Sequence, residues 1–293
     1  MSKFTNLSGQ LATISRLRAF RACARYHHLS YNERWESTGD DAETMAYGTC
    51  GHRVLEVWWG MLGSGATSDD TLAACVALID SDRKIRAALN PYQRASLTAV
   101  ITGYHLRWWE SSQTYEVLHV EAEFRAPLRN PMTGRPMRGW NEGGKIDVIV
   151  RDRADGRVYI IEHKFSGEDV SPGSSYWRRL RVDGQVSIYL DGARALGYEA
   201  AGVIYDVISR PGQKPCKATP PELREYTQGK GCKLCGGKVG VRGHGHRVVG
   251  GVETADPCPG CDDGWVEPPR LYAKQRATDE SPEEYRDRIA ASI

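Results

Sequence analysis

Residues 143–164, GGKIDVIVRDRADGRVYIIEHK, contain two short apolar stretches on either side of Ala154-Asp155-Gly156. Apolar runs of this length that flank an Asp-Gly turn signal are typical of a β-hairpin. We predict its strands over residues 145–151 and 157–164. This hairpin is the strongest local constraint on the fold, and the other predicted elements are placed around it.

The turn of this hairpin decides which side chains face one another. Side chains alternate between the two faces of a strand, so Glu162 and Lys164 share one face and His163 lies on the other. If Ala154-Asp155 forms a two-residue turn, Asp147 lies opposite Glu162. If Asp155-Gly156 forms the turn, Asp147 lies opposite Lys164. Both registers place Asp147 on the face that carries Glu162 and Lys164.

Two carboxylates and one ammonium among apolar strand residues predict a site for a divalent cation. Like charges in a half-buried sheet are costly unless a cation binds between them. Carboxylate oxygens suit Mg²⁺ or Mn²⁺, and Lys164 can hold an attacking water or stabilise charge on a phosphorane-like transition state. The alternative is an amphipathic hairpin whose charged face is solvated.

The chain has 293 residues, with 39 basic and 37 acidic side chains, and is long enough for one large domain and a small module. Because its charge is nearly balanced, a nucleic-acid partner would have to meet a local basic surface. The start of the chain lacks the apolar core of a signal peptide, and no apolar run reaches transmembrane length. We therefore expect a cytoplasmic protein with no membrane partner, whose eight cysteines are thiols or metal ligands rather than disulfides.

The remaining pattern alternates between helices and strands. Helices are predicted over residues 10–35, 48–62, 69–89, 91–109 and 183–196, and strands over residues 115–124 and 201–208. Residues 125–140 and 167–175 are rich in Pro, Gly or Ser and are predicted loops. This order predicts an α/β fold with a mixed sheet core flanked by helices.

Two segments combine arginines with aromatic side chains. Residues 176–181, YWRRLR, predict nucleic-acid contacts by Arg178, Arg179 and Arg181, because guanidinium groups bind phosphates and rings stack on bases. A surface loop would have a similar composition. Residues 16–25 carry four arginines on a predicted helix, which is either a solvated face or a phosphate-facing one.

Residues 229–266 differ from the rest of the chain, because glycine becomes frequent and aliphatic side chains become rare. They contain two CxxC pairs, Cys232 with Cys235 and Cys258 with Cys261. Two such pairs predict a tetrathiolate Zn²⁺ site. A module this small needs a cross-link of this kind, because it cannot build a sufficient hydrophobic core.

We therefore predict three parts of the chain. Residues 1–228 form the core, residues 229–266 form a small zinc-ribbon-like insertion of zinc knuckles, and residues 267–293 form a helical tail that returns to the core. In the tail, Ser281 is a good N-cap and Pro282 suits the first helical position.

The order of these motifs resembles the PD-(D/E)XK nuclease superfamily, in its RecB-like branch of phage and recombination exonucleases. Gly48-x-x-x-His52 resembles the helical first motif of the branch, Gly144-x-x-Asp147 its strand motif, and Glu162-His163-Lys164 its E-x-K element. Gln185-x-x-x-Tyr189 is similar to its Q-x-x-x-Y helix, and Glu121 resembles an acidic residue often found on the preceding strand. The resemblance covers roughly residues 10–210.

The resemblance implies a restriction-endonuclease-like fold and a role for each matched residue. Asp147, Glu162 and Lys164 would be catalytic. The metal ligands would be His52, Asp147, Glu162 and the backbone carbonyl of His163, with Glu121 as an additional candidate. Gln185 and Tyr189 would hold the DNA strand.

The implied activity is that of a Mg²⁺- or Mn²⁺-dependent deoxyribonuclease, an exonuclease of the phage or recombination-repair type in a bacterial or phage-infected cell. DNA is the implied partner, and a recombination or replication protein is a further candidate. The alternatives are a structure-specific or nicking endonuclease of the same fold, and a non-catalytic DNA-binding protein that uses the zinc module.

The cysteines leave two metal sites open. Some RecB-like nucleases carry an iron–sulfur cluster on one early cysteine and three late ones, and Cys23 stands at the early position. The later cysteines form two pairs rather than a close triplet, so we favour zinc on Cys232, Cys235, Cys258 and Cys261. The alternative is an iron–sulfur cluster on Cys23, Cys216, Cys232 and Cys235.

Overall fold

The computed structural model describes residues 9–36, 40–224, 247–249, 252–254, 271 and 275–293. The chain divides into a larger unit, Met1–Gln213 with Pro282–Ile293, and a smaller unit, Lys214–Ser281. Within the described ranges, no helix combines the length and the apolarity needed to cross a bilayer. The predicted hairpin lies in the larger unit.

A five-stranded mixed sheet forms the centre of the larger unit. Its strands are β1 (Gln10–Ala12), β2 (Tyr115–Arg129), β3 (Pro136–Asp152), β4 (Val158–Ser166) and β5 (Ala200–Ser209). β3 pairs antiparallel with β2 and with β4, β4 pairs parallel with β5, and β1 pairs parallel with β3. The predicted α/β class with a mixed sheet is confirmed.

β1 and β4 share one edge of β3, because β2 occupies the other edge along nearly its whole length. β1 pairs with residues 140–142 of β3 and β4 pairs with residues 148–151. Between these stretches the backbone N–H of His163 donates to the side chain of Asp147 at 2.8 Å rather than to a β3 carbonyl. The two strands of the hairpin therefore diverge at Asp147.

Helices cover both faces of the sheet. They are α1 (Ile14–Ala22), α2 (Ala24–His27), α3 (Asp40–Gly63), α4 (Ser68–Ser81), α5 (Arg83–Ala88), α6 (Pro91–Ser112), α7 (Ser175–Leu180), α8 (Gln185–Ala195) and α9 (Pro282–Ala290), with a π-helical segment at His28–Asn32. α3, α4 and α6 share one core cluster with Val148 and Ile161 of the sheet. α8 packs on the opposite face, where Ala193 contacts a cluster that contains Ile160. α9, which starts at Pro282 as predicted, packs on α6 through Ile289.

Side-chain caps divide the helical region before β2. Asn90 and Gln93 form a capping box at the start of α6, with Pro91 in the first turn. Asp82 ends α4 and accepts the backbone N–H groups of Lys84 and Ile85 at the start of α5. The single helix predicted over residues 69–89 is therefore two helices.

The predicted β3–β4 hairpin is confirmed in its strands and in one of its two registers. Val148 pairs with Ile161, so extending the register by one residue sets Asp147 opposite Glu162. The turn is longer than predicted and spans residues 153–156. A hydrogen bond from the Asp152 N–H to the Arg157 carbonyl closes the turn. Within the turn, the Ala154 N–H donates to the Asp152 side chain and the Gly156 N–H donates to the Asp152 carbonyl.

Two further element predictions need correction. Residues 125–140 are largely strand, because β2 continues to Arg129, β3 begins at Pro136, and Asn130 closes the turn by accepting from the Met132 N–H. Residues 10–35 are not one helix. They begin with β1, and Cys23 takes an extended conformation that ends α1 and caps α2.

In the smaller unit, the described residues form two short strands and a 3₁₀ turn: β6 (Arg247–Val249), β7 (Val252–Thr254) and Pro221–Leu223. The Asp279 and Glu280 carboxylates accept the backbone N–H groups of Ala218 and Cys216, which ties the two ends of this unit together. The predicted zinc ligands Cys232, Cys235, Cys258 and Cys261 lie outside the described residues. The zinc site, its iron–sulfur alternative and the limits of the insertion stay predictions.

Candidate active site

The site is centred on the rung of the sheet at which Glu121 of β2 lies opposite Asp147 of β3. Residues two apart on a strand normally share a face, but both strands change face at this rung. The residues on the α3 face are Val120 and Val148, and those on the α8 face are Ala122 and Ile146. Glu121 adopts a left-handed φ of +53°, which costs a non-glycine residue about 1–2 kcal/mol. Backbone strain of this kind is concentrated at functional sites.

His52, Glu121 and Asp147 bring three ligand atoms within 4.8 Å of one another. The Nδ1 atom of His52, on α3, lies 3.2 Å from Oδ1 of Asp147, and Glu121 forms an ion pair with Lys145. Two carboxylates and one imidazole match the donors that a hard divalent cation takes in proteins. The structure thus brings together three of the predicted metal ligands, including the additional candidate Glu121.

These three residues line a cleft of about 820 Å³ between α3 and the sheet, and Lys164 lines it too. The side chains of His52 and Lys164 are 32% and 23% exposed, whereas that of Asp147 is 10% exposed. The cleft therefore presents a shielded carboxylate beside an imidazole and an ammonium that solvent and substrate can reach.

Asp147 is held as a charged group. Burial alone would raise the pKa of its carboxyl, but the hydrogen bond and the charge of His52, followed by the contribution of His163, outweigh burial and lower that pKa below its ordinary value. Asp147 is therefore ready to bind a cation without losing a proton first.

Glu162, Lys164 and Gln185 form a hydrogen-bonded triangle beside Asp147. Lys164 Nζ donates to Glu162 Oε1 at 2.5 Å and to Gln185 Oε1 at 2.8 Å, and Gln185 Nε2 donates to Glu162 Oε1 at 2.6 Å. Burial and then the charge of Asp147 raise the pKa of Glu162.

The second carboxylate oxygen of Glu162 is left unpaired. Its Oε2 atom is buried and has no hydrogen-bond partner among the residues that the structure describes. A buried acceptor without a partner costs free energy, and a bound cation would remove this cost. Glu162 therefore fits its predicted role as a ligand, although it lies outside the three-residue cluster.

His163 points away from the cleft, as the alternation of β4 predicts. Its Nδ1 lies 3.0 Å from Oδ2 of Asp206, which also accepts the hydroxyl of Tyr104 at 2.8 Å. Burial and the charge of Asp206 raise the pKa of Tyr104, so its hydroxyl stays a donor. This network fixes the strand whose His163 N–H binds Asp147. Sequence reasoning missed Tyr104 and Asp206, although an aspartate within the apolar run AGVIYDVI was an available signal.

The surroundings of Tyr189 favour a different role from the predicted DNA contact. Its ring is 7% exposed and packs against Phe124, and its hydroxyl donates to the Lys145 carbonyl at 2.8 Å. Tyr189 therefore holds β3 two residues before Asp147. Gln185, 5% exposed, likewise contacts the catalytic candidates rather than an open surface.

A second cavity, of about 440 Å³, extends from Lys164 to residues of α1 and α7. Arg18 and Arg21 of α1 and Arg179 of α7 line it. Arg18 pairs with Asp183 and Arg179 pairs with Glu168. Of the three arginines predicted to contact DNA, Arg179 lines this cavity. Arg178 and Arg181 are exposed and are not among its lining residues. Arg18 and Arg21 belong to the segment for which a phosphate-facing role was one of two interpretations.

Gly51 allows α3 to approach the sheet next to His52. A Cβ atom at Gly51 would lie 2.3 Å from the ring of Phe165 on β4, whereas one at Gly48, the glycine of the predicted motif, would meet no atom within 4 Å. Gly48, which the sequence motif marks, is thus less constrained sterically than Gly51, three residues later.

We expect Gly51→Ala to lower the free energy of unfolding by about 1–3 kcal/mol, because overpacking a close contact costs this much. Gly60→Ala on the same helix is the matched control, since its Cβ would meet no atom within 4 Å. There the helix propensity of alanine should stabilise the fold by up to about 1 kcal/mol. Urea unfolding measures both variants, and equal stability of the two would show that α3 does not depend on the close approach.

A family model described as the PD-(D/E)XK nuclease superfamily matches residues 12–289. The matched segment contains every described residue of the cleft and of the second cavity. A comparison with curated proteins finds no significant match.

Proposed function

Because the chain belongs to the PD-(D/E)XK nuclease superfamily, whose members are metal-dependent nucleases, we propose that it is a Mg²⁺- or Mn²⁺-dependent deoxyribonuclease. The observation that carries this proposal is the set of contacts around Asp147. A charged carboxylate, an imidazole, a second carboxylate on a strained backbone and a lysine meet in one cleft.

The residues around Asp147 fit one or two divalent ions. His52, Glu121 and Asp147 would hold one ion, and the unpaired Oε2 of Glu162 and the carbonyl of His163 are further candidate ligands. Carboxylate and carbonyl oxygens with one imidazole suit Mg²⁺ or Mn²⁺ better than a soft metal. When bound, the metal would polarise the scissile phosphate and stabilise charge on the leaving oxygen.

We propose that Lys164 orients the attacking water. Glu162 and Gln185 fix its ammonium at the point where the metal cleft and the second cavity meet. From there Nζ can orient a water toward the phosphorus and stabilise the negative charge that develops. Glu162 has two tasks in this arrangement: its Oε1 holds Lys164, and its Oε2 is free for the cation.

The second cavity supplies a path for the DNA backbone. Arg18, Arg21 and Arg179 place three guanidinium groups next to Lys164, and guanidinium groups bind phosphates with two parallel hydrogen bonds. We propose that phosphates adjacent to the scissile one lie in this cavity. Arg178 and Arg181 are exposed beyond it and would contact more distant phosphates.

Gln185→Ala tests whether Gln185 positions the catalytic groups or binds DNA. Because Gln185 holds Glu162 and Lys164, we expect kcat to fall by about 10–100-fold, the usual effect of losing a partner of a metal-site residue, with KM nearly unchanged. Steady-state cleavage kinetics measure both constants. Gln113→Ala, at the exposed end of α6, is the matched control. A rise in KM with kcat intact would support the DNA contact that the sequence predicts.

Exonuclease action is the finer part of the proposal. It rests on the resemblance of His52 and of the Gln185–Tyr189 pair to the RecB-like branch. Incubation of linear and covalently closed circular duplexes with Mg²⁺ tests it. An exonuclease digests the linear DNA and leaves the circle intact, whereas nicking or cutting of the circle would identify the endonuclease alternative.

A further inference from the structure

A groove of about 770 Å³ lies between the N-terminal helices and the β2–β3 hairpin, on a part of the surface separate from the metal cleft. Its principal lining residues are Arg16, Leu17, Phe20, His27, Met137 and Trp140, and we call it the α1 groove. Phe20 is 59% exposed and Met137 is 43% exposed. Exposed large apolar side chains that line a groove favour a ligand with an apolar face.

Planar groups that line the α1 groove contact one another and the neighbouring ring of Tyr31. The Arg16 guanidinium lies 5.3 Å from the ring centroid of Trp140 and 5.9 Å from that of Tyr31. The rings of His27 and Tyr31 stack at 5.2 Å, and Phe20 meets His27 edge to face at 5.4 Å.

Hydrogen bonds hold Arg16 in this stack. Its Nε donates to Nε2 of His27 at 3.1 Å, and its Nη1 donates to the Leu11 carbonyl at 3.1 Å. Planar groups that are already fixed lose little conformational freedom when a flat ligand stacks on them.

The two segments that border the α1 groove are free of acidic residues. Residues 9–32 contain Arg16, Arg18, Arg21 and Arg25 without an Asp or Glu, and residues 124–141 contain Arg125, Arg129, Arg135 and Arg138 without one. The whole chain has 39 basic and 37 acidic side chains, so the two segments carry a local excess of positive charge even though Arg18 is paired with Asp183 from outside them. Such a surface attracts an anionic ligand, and the distance over which the attraction acts depends on ionic strength.

We propose that the α1 groove binds an unpaired nucleobase of the DNA strand whose phosphates lie along these two arginine-rich segments. A nucleotide combines a planar apolar face with negative charge, and bases stack on aromatic rings and guanidinium planes. A base within a duplex has both faces covered by its neighbours, so the ligand is single-stranded DNA or a frayed duplex end.

The position of α1 links the groove to catalysis, and this step rests on the proposed nuclease function. Arg16, Leu17 and Phe20 line the groove, whereas Arg18 and Arg21 of the same helix line the cavity that contains Lys164. One helix with its side chains is about 10–12 Å across. A strand with phosphates in the cavity can therefore place a nearby base in the groove.

Binding of abasic oligonucleotides tests the proposal. Fluorescence anisotropy would be measured with the full chain in EDTA, on single-stranded oligonucleotides that are intact or lack one base at successive positions. We expect one position at which the wild-type protein loses affinity when the base is missing. Phe20→Ala should bind the intact strand roughly 5–150-fold more weakly, the range found for loss of one stacking contact, and should show no abasic penalty at that position.

Leu106→Ala is the matched control, since Leu106 is 76% exposed on α6 and does not line the groove. It should keep both the affinity and the abasic penalty, and Met137→Ala serves as a second groove variant if Phe20→Ala is poorly folded. Wild-type affinity with an unchanged abasic penalty in the groove variants, or no binding of single strands, would overturn the proposal.

Cleavage assays keep this inference distinct from the proposed function. An abasic penalty that depends on Phe20, in a protein that cleaves no DNA with any metal, would refute nuclease action and leave the groove assignment standing. Normal cleavage without an abasic penalty at any position would refute the groove alone.

Discussion

Asp147→Asn is expected to lower the rate of DNA cleavage by on the order of 10³-fold, which is the upper range for loss of one group that stabilises charge at a reacting centre. Asp147 contacts His52 through one oxygen and the His163 N–H through the other. An asparagine keeps the size of the side chain but removes the negative charge on which cation binding depends. The rate constant under single-turnover conditions with Mg²⁺ measures the effect.

Asp155→Asn is the control for this variant. Asp155 lies in the turn of the same hairpin, and its carboxylate accepts the Arg157 N–H, a role that an asparagine oxygen can keep. It should cleave DNA at nearly the wild-type rate. Cleavage by Asp147→Asn within a few-fold of Asp155→Asn would place the reaction elsewhere in the molecule.

Lys164→Met is expected to lower kcat by about 10²–10⁴-fold, the contribution of a positioned proton-transfer group. Methionine is close to lysine in length but cannot donate to Glu162 or to Gln185. The substitution leaves the predicted cation ligands unchanged. The Mg²⁺ concentration at which the variant reaches half of its own maximal rate should therefore stay near the wild-type value. Cleavage rates across a Mg²⁺ titration give both quantities.

Arg157→Met is the matched control for the lysine, because Arg157 is a 68% exposed cation just before the same strand. It should retain the wild-type rate. If Lys164→Met kept full activity, the ammonium would be only a structural partner of Glu162. The proposed role of Lys164 in orienting the attacking water would then be wrong.

The local part of the site is readable from the sequence. Alternation along β4 separates Glu162 and Lys164 from His163. Both predicted registers of the hairpin place Asp147 on the face of Glu162 and Lys164, and the structure selects the register in which it lies opposite Glu162. These relations depend on residues close together in the chain, where strand geometry leaves few choices. The predicted two-residue turn is wrong, because the side chains of Asp152 and Asp155 accept backbone N–H groups and stabilise a longer connection.

The non-local part of the site is not readable in this way. Glu121 lies opposite Asp147 because of the register of β2 on β3, and its positive φ has no signature in the sequence. Asp206 meets His163 and Tyr104 from positions 43 and 102 residues away along the chain. Contacts at such separations are set by the packing of the sheet against α6, which the periodicity of a single segment does not encode.

The loop predicted over residues 125–140 and the single helix predicted over residues 10–35 are wrong for physical reasons that involve proline and cysteine. Pro127 and Pro136 indicate a loop, but they lie near the turn end of the β2–β3 hairpin, where the ladder is irregular and a missing N–H is tolerated. Cys23 lies in an arginine-rich stretch that reads as one helix. Its thiol accepts the Tyr26 N–H and so replaces a helical hydrogen bond at the break.

The proposed nuclease function depends on a divalent cation at the His52–Glu121–Asp147 cluster. We would test this function most directly with a time course of cleavage of end-labelled linear DNA, as a duplex and as a single strand, by the wild-type protein in Mg²⁺, in Mn²⁺ and in EDTA. We expect cleavage of at least one DNA form with at least one of the two metals, and none in EDTA. Cleavage at the same rate in EDTA, or intact DNA with both metals, would contradict it.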